Sequence, residues 1–546
     1  MYLAGIDVGT TNTKTVIFDV ETGRINAVGS SRTIVRHPVP EWSEFDAEDI
    51  WGTVLQSIQA AVQRCDHPER IVAIAVASMG ESAFPVDAEG NVLHPAIAWY
   101  DMRTAAEAQE WENIVGRERL FTITGHLSRS TLGVHKLLWM RNHVPEVVER
   151  MQHWLSIEDF VLWKLSGNFA TDYSIASRTM LFDQRTLTWS EALLAQAGLS
   201  ASWFSPAFPS GTAIGTVSKA VAEQTGLPQQ TIVSTGGHDH LCGALAAGVT
   251  QPGNLLESIG TASVIMAVGD TFLPSPQLLA AGCTSYAYVI PHTYATLGAL
   301  NFAGGALEWI VTLLYGQGNR ETLSPENYAQ ALREAAEVPA GARGAIILPA
   351  FLGSGTPYSA SSARGTMFGL TPSHNRAELV RALMEGLAFW LRDNMEMFYE
   401  LLQYPKTDRT NGEHSMQPPT SRDMDYSSRY VPTSSSENTP GIAPAYPGVS
   451  ATPQEITVIG GTTQATTLLQ IKADVTGCLI KVPQITEAAA TGAALLAGIS
   501  ANIFRSGEEA ASSVQHTMQV YEPSSQAVET YNTVYEQTYL PARRLL

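Results

Sequence analysis

The 546 residues include 33 basic and 52 acidic side chains, a formal net charge of −19, and 45% of them are hydrophobic. That length accommodates two large domains or three to four of ordinary size, each with its own core. The acidic balance argues against nucleic acid or an anionic membrane as the main partner, since both demand clustered Lys and Arg. The opening MYLAGIDVGTT reaches Asp7 with no basic region before it, and no run of about 20 uncharged apolar residues follows. The chain therefore reads as cytoplasmic, with no membrane segment and a small molecule as its ligand. Cys65, Cys242, Cys283 and Cys478 form no CxxC pair, so neither a disulfide framework nor a zinc site is expected.

Along the chain, Tyr2–Ile6 is apolar, Asp7–Thr13 is rich in Gly and Thr, and Thr15–Phe18 is β-branched and aromatic, a strand-turn-strand pattern. Helical spacing of Ile50, Trp51, Val54, Leu55, Ile58 and Val62 predicts a helix over Ala47–Gln63. Ile71–Ala77 reads as a buried strand, and the alternation that follows makes the class α/β. Asp7-Val-Gly-Thr-Thr11 is echoed by Ser258-Ile-Gly-Thr-Ala-Ser263, which suggests two related halves across a cleft. Pro405–Gln454 holds eight Pro, eight Ser and six Thr but no Leu, Phe or Trp, so it reads as a disordered insert within a domain.

Three segments carry chemistry. In Asp7-x-Gly9-Thr10-Thr11-Asn12-x-Lys14, backbone N–H groups, hydroxyls and one cation can cradle phosphate oxygens, while Asp7 can hold Mg²⁺ through water; an ordinary hairpin turn is the plainer reading. Gly236-Gly-His-Asp239-His240 follows the strand predicted at Thr231–Ser234, and Asp239 there can take a proton from a hydroxyl nucleophile. The alternatives are a helix start satisfied by Asp239 and a metal pair of histidines. Gly460-Gly461-Thr462-Thr463, again at a strand end, lets a flat base or ribose lie against backbone.

Taken together, these motifs resemble the FGGY family of carbohydrate kinases, within the superfamily that includes actin and Hsp70, from Tyr2 to about Gly498 outside the insert. Lys136, Trp139, Asn142 and His143 fit the later part of one family pattern, from whose start Thr131 and Gly133 depart. Gly365, Gly369, Leu370, Glu378, Leu379, Ala382, Glu385 and Gly386 fit a second, apart from Leu383. The resemblance implies two actin-like (ribonuclease H-like) domains, residues 1–246 and 247–546, flanking a catalytic cleft. It also implies ATP-dependent phosphorylation of a xylulose-like pentulose, a related ketose or a polyol, with Mg²⁺. Asp239 would be the catalytic base and, with Asp7, would hold the metal. Nucleotide contacts would come from Gly9, Thr10, Thr11, Asn12, Lys14, Gly260, Thr261, Gly304, Gly460, Gly461 and Thr462; close helix packing is the alternative for Gly304.

On the sugar side the resemblance points to Glu81, Trp99, Asp101 and Arg103. Glycerol kinases carry Arg-Glu where this chain has Gly80-Glu81, so an arginine is missing. Glu81 suits vicinal hydroxyls, or is simply solvated at a strand end; Arg103 equally suits a structural pairing with Asp101. Dimers are common in the family, which makes a homodimer an assembly the resemblance allows. Two other readings compete: a catalytically silent sugar- and ATP-binding regulator of the same fold, and an actin- or Hsp70-like ATPase.

Overall fold

The computed structural model describes residues 1–316, 323–402 and 454–544. The stretch read as an insert lies outside the described residues except for Gln454. A first sheet comprises β1 (Tyr2–Val8), β2 (Asn12–Asp19), β3 (Arg24–Arg32), β4 (Ile71–Ser78), β5 (Ala213–Thr216) and β6 (Ile232–His238), in the order β5-β6-β4-β1-β2-β3. β1, β2 and β3 form an antiparallel meander, and β4 and β6 continue the sheet in parallel. Leu3, Ala4, Ile6 and Val8 are all inaccessible, because both faces of β1 are covered. One covering element is α1 (Ala47–Arg64), capped by the Asp46 carboxylate, which accepts from the backbone of Glu48 and Asp49. Its apolar stripe buries Ile50, Trp51, Val54, Ile58 and Val62 of the residues that the sequence spacing picks out, with Leu55 partly buried beside them.

The second sheet repeats this plan. It contains β7 (Leu255–Ile259), β8 (Ser263–Gly269), β9 (Thr284–Ala287), β10 (Tyr294–Leu300), β11 (Glu455–Ile459), β12 (Leu479–Pro483) and β13 (Met518–Tyr521), ordered β9-β10-β8-β7-β11-β12-β13. β7, β8 and β10 are antiparallel neighbours, while β11 and β12 run parallel to β7. The turns β1–β2 and β7–β8 therefore occupy matching places, which is what the echo of Asp7–Thr11 in Ser258–Ser263 predicts. The long helix Arg376–Leu401 fills the core beneath the second sheet, opened by a capping box of Asn375 and Glu378. Glu385, farther along it, accepts from Tyr531 and from Gly341 N. The second family pattern thus supplies scaffold here.

The halves are joined by a small-residue seam. The alanine-rich helix α2 (Ala488–Ser500) belongs to the second half yet packs on β1 and β4 of the first. A Cβ on Gly492 would lie 1.9 Å from Cys242 O, and one on Gly5 would lie 1.9 Å from Ala490 O. Neither backbone can yield without separating the elements. Gly492→Ala is expected to cost about 3 kcal/mol, read as a lower thermal midpoint in the absence of ligands. All four cysteines are buried thiols outside any disulfide, and no described helix is long and apolar enough to cross a membrane.

Candidate active site

Asp7 sits near the end of β1, beside the turn in which Gly9 N donates to Asn12 O and Thr33 Oγ1 to Gly9 O. Its Oδ1 is buried with no hydrogen-bond partner. Burial, then the negative charge of Asp239, pushes its carboxyl up to about 8, against the opposing charge of Lys14. A buried carboxylate oxygen facing a second carboxylate fits a cation that would satisfy both. Lys14 was expected on phosphate oxygens. Instead its Nζ lies 2.6 Å from Glu487 Oε2, an ion pair between the two halves.

β6 is longer than the segment predicted at Thr231–Ser234: it runs through Gly236 and Gly237 to His238, so Asp239 opens the helix Asp239–Ala246. Asp239 Oδ1 accepts from His240 N at 2.6 Å and pairs with His240 Nδ1 at 2.8 Å. Burial disfavours the ionised form of Asp239, but His240 and His238 outweigh it and hold the carboxylate well below its usual range. Reciprocally, Asp239 raises the His240 pKa, whereas burial pushes His238 down to about 4. His238, Asp239 and His240 offer ligand atoms within 4.8 Å of one another. However, His238 Nδ1 shares a hydrogen bond with Tyr286 Oη and His240 Nδ1 is engaged by Asp239. These contacts engage the Asp239 carboxylate through Oδ1, and none of them uses Oδ2.

Two cavities meet here. One of about 230 Å³ is lined by Asp7, Asp239, His240, Ser258 and Ile459. A larger one, about 670 Å³, is bordered by Glu81, Trp99, Arg178 and His238 from the first half and by Ala262, Tyr286 and Asn301 from the second. His240 lines both.

The glycine-rich segments of the second half converge on the β7–β8 turn. Gly304 N donates to Gly260 O and Gly305 N to Thr261 O, each at 3.1 Å. A Cβ on Gly304 would meet Gly260 O at 2.2 Å and Thr462 Oγ1 at 2.5 Å, so the position admits no side chain. Gly460, at φ 107, lies against Ile259 O, while Gly260 and Gly461 face open space. Residues separated by 200 positions in sequence thus form one backbone-lined ledge. The buried pair of Lys472 with Glu257 ties the next helix, Thr466–Thr476, to β7 under that ledge.

On the opposite side, Trp99 is 37% exposed and its Nε1 donates to Thr10 Oγ1 at 3.0 Å, linking the expected sugar face to the expected phosphate turn. Asp101 and Arg103 do not face the cavity, which corrects their expected place as sugar contacts. Arg103 Nη2 lies 2.7 Å from Asp101 Oδ2 and its Nη1 2.7 Å from Glu44 Oε1, with the guanidinium 3.8 Å above Trp42. Their side chains are 2% and 0% exposed. The structural alternative for this pair is the one observed, and it fixes the strand-end loop that carries Trp99. Arg103→Ala would leave two buried carboxylates unpaired, and a loss of about 3–5 kcal/mol in unfolding free energy is expected from chemical denaturation.

Glu81 is not solvated: Arg178 Nε donates to Glu81 Oε1 at 2.8 Å, and Arg178 Cγ lies 2.7 Å from where a Cβ on Gly80 would stand. A guanidinium therefore reaches Glu81 from position 178 rather than 80. Burial opposes ionisation of Glu81, but Arg178 outweighs it and holds its pKa down. Arg178, Tyr286, His126 and Arg129 escaped the sequence reading, since none belongs to a local motif. The glycine at position 80 is the one available signal, because it leaves room for a side chain from elsewhere.

Comparison with known proteins identifies the family. Models of the FGGY family of carbohydrate kinases match over residues 2–246 (N-terminal domain) and 255–501 (C-terminal domain). The chain is 27% identical to a xylulose kinase of Bacillus subtilis (strain 168), covering 98% of this chain and 95% of the relative. It is 30% identical to a xylulose kinase of Escherichia coli (strain K12) over 73% of this chain and 79% of the relative. The solved xylulose kinase of Rhodospirillum rubrum superimposes with a TM-score of 0.83 at 25% identity, covering 100% of this chain and 99% of that one. The two-sheet α/β architecture is the actin-like fold of those kinases. With both family domains present, the chain belongs to the FGGY family of carbohydrate kinases, phosphotransferases that use ATP and an alcohol acceptor.

Proposed function

We propose that this kinase phosphorylates a hydroxyl of a small sugar or polyol of pentulose size, in the cytoplasm, with Asp239 as the base. The observation that supports the reading is the junction of the two cavities at His240, with Asp7 and Asp239 lining the smaller and Glu81 and Trp99 the larger. Residues 1–246 would supply the sugar side, Asp239 and the first phosphate turn, and residues 247–546 the nucleotide ledge. Asp239 Oδ2 would receive the acceptor proton as the oxygen attacks the γ-phosphorus in line. Trp99 would pack on the carbon chain, and Glu81, held by Arg178, would accept from vicinal hydroxyls. Gly9–Asn12, Gly260, Thr261, Gly304 and Gly460–Thr462 would approach the nucleotide through backbone and hydroxyl groups. The unpartnered Asp7 Oδ1 fits Mg²⁺, which would be held by Asp7 and Asp239 and would neutralise phosphate charge when bound. Closure of the halves would exclude water from the γ-phosphate.

The test is ADP formation across glycerol, tetritols, pentuloses, hexuloses and sugar acids. A pentulose-sized acceptor that stimulates ADP release supports the reading; tight sugar binding with no ADP release from any member would favour the silent regulator.

A further inference from the structure

The charges lining the larger cavity do not balance. Among its described ionisable residues are two guanidiniums, Arg129 and Arg178, three imidazoles, and one carboxylate, Glu81. Glu81 is paired with Arg178, and the neighbouring Asp239 with His240. Arg129 remains. Its Nη2 reaches only a backbone carbonyl, Gly282 O at 3.3 Å, with no carboxylate partner among the described residues. Three residues earlier on the same loop, His126 is 1% exposed and neither of its ring nitrogens has a partner. The ring lies 5.0 Å from that of Tyr286. A buried imidazole with two unmet nitrogens beside an unpaired guanidinium is unfavourable unless something occupies the site.

From this we propose that the acceptor carries a carboxylate, so that the substrate is a sugar acid, and that Arg129 with His126 receives that group. The proposal rests on the kinase reading above and refines its substrate class. One unpaired guanidinium next to an imidazole matches a single negative charge, and the planar fork of arginine suits a carboxylate. Glu81 and Asp239 would still address hydroxyls, with the carboxylate at the end of the chain away from the phosphorylated oxygen. A purely structural role competes: the Arg129–Gly282 bond links the two halves and could serve only to hold them together.

The experiment compares matched acceptors, pentonates and hexonates against the corresponding pentitols, hexitols and ketoses, in the wild type, Arg129→Gln and Arg129→Lys. Turnover is read with ADP release, and binding of the same acceptors with calorimetry. A wild-type preference for the acids is expected. In Arg129→Gln it should fall by about 10- to 100-fold through KM of the acid, with KM for ATP unchanged and Arg129→Lys intermediate. Equal handling of acid and neutral acceptors by the wild type would overturn the proposal. So would a rise in KM for ATP, which assigns Arg129 to the nucleotide phosphates, or an equal loss on every acceptor, which assigns it to holding the halves. If no acceptor releases ADP but calorimetry shows acid binding that Arg129→Gln abolishes, the kinase reading fails and the anion site stands.

Discussion

Asp239→Asn is expected to lower kcat by about 10²- to 10⁴-fold, with ATP affinity held within a factor of about 3. The amide keeps the volume of the carboxylate and can still accept from His240 N, so the helix start survives. What disappears is the acceptor for the hydroxyl proton. The backbone ledge at Gly260, Gly304 and Gly460, the proposed nucleotide side, lies in the other half and has no direct bond to Asp239 among the described residues. Rapid-quench measurement of the chemical step, together with ATP titration, separates the two effects. Turnover near the wild-type rate would remove Asp239 from the reaction.

Asp7→Asn should act in opposite directions on stability and activity. In the unfolded chain Asp7 loses its proton near 3.8, while in the folded protein without ligands it keeps it up to about 8. Between those values the folded state binds the extra proton, so its stability falls as pH rises, and the cost is complete above about pH 8. Asparagine titrates nowhere in this range. Without nucleotide or divalent cation, the variant should therefore be more stable than the wild type at pH 8, by on the order of 3 kcal/mol once partial solvent contact is allowed for. The gap should close as pH approaches 4. Other carboxylates contribute to both proteins and cancel in the difference. Mg²⁺ with ATP should raise the thermal midpoint of the wild type more than that of the variant, and the variant should lose turnover. A variant less stable than the wild type at pH 8 would contradict the electrostatic account of this site.

The sequence made some of this legible because the relevant information is local. β1, α1, β4 and β11 follow from runs and periodicities a few residues long, and Asp239 stands out because two glycines and a strand precede it. The doubling of the fold could be read from two short Gly-Thr segments, since each marks the same place in its sheet. Other features required the tertiary fold. Asp101 and Arg103 sit in a sugar-side pattern, but whether they face the cavity depends on Trp42 closing over the guanidinium from outside that segment. Lys14 looked available to phosphate because Glu487, its partner, lies 473 residues away. Arg178 reaches Glu81 from 97 positions downstream, and no spacing rule connects them. His126 and Arg129 are ordinary loop residues until the hairpin of β9 and β10 from the second half is placed against them.

The most direct test of the central claim is the stoichiometry of transfer, followed by ³¹P NMR with purified protein, ATP, Mg²⁺ and an acceptor from the panel. One phosphorylated acceptor is expected for each ADP, with no ADP in the absence of acceptor, and both products should form about 10²- to 10⁴-fold more slowly in Asp239→Asn. ADP and inorganic phosphate accumulating together, at the same rate with and without acceptor, would contradict it, because the junction at Asp239 would then be activating water rather than a sugar hydroxyl.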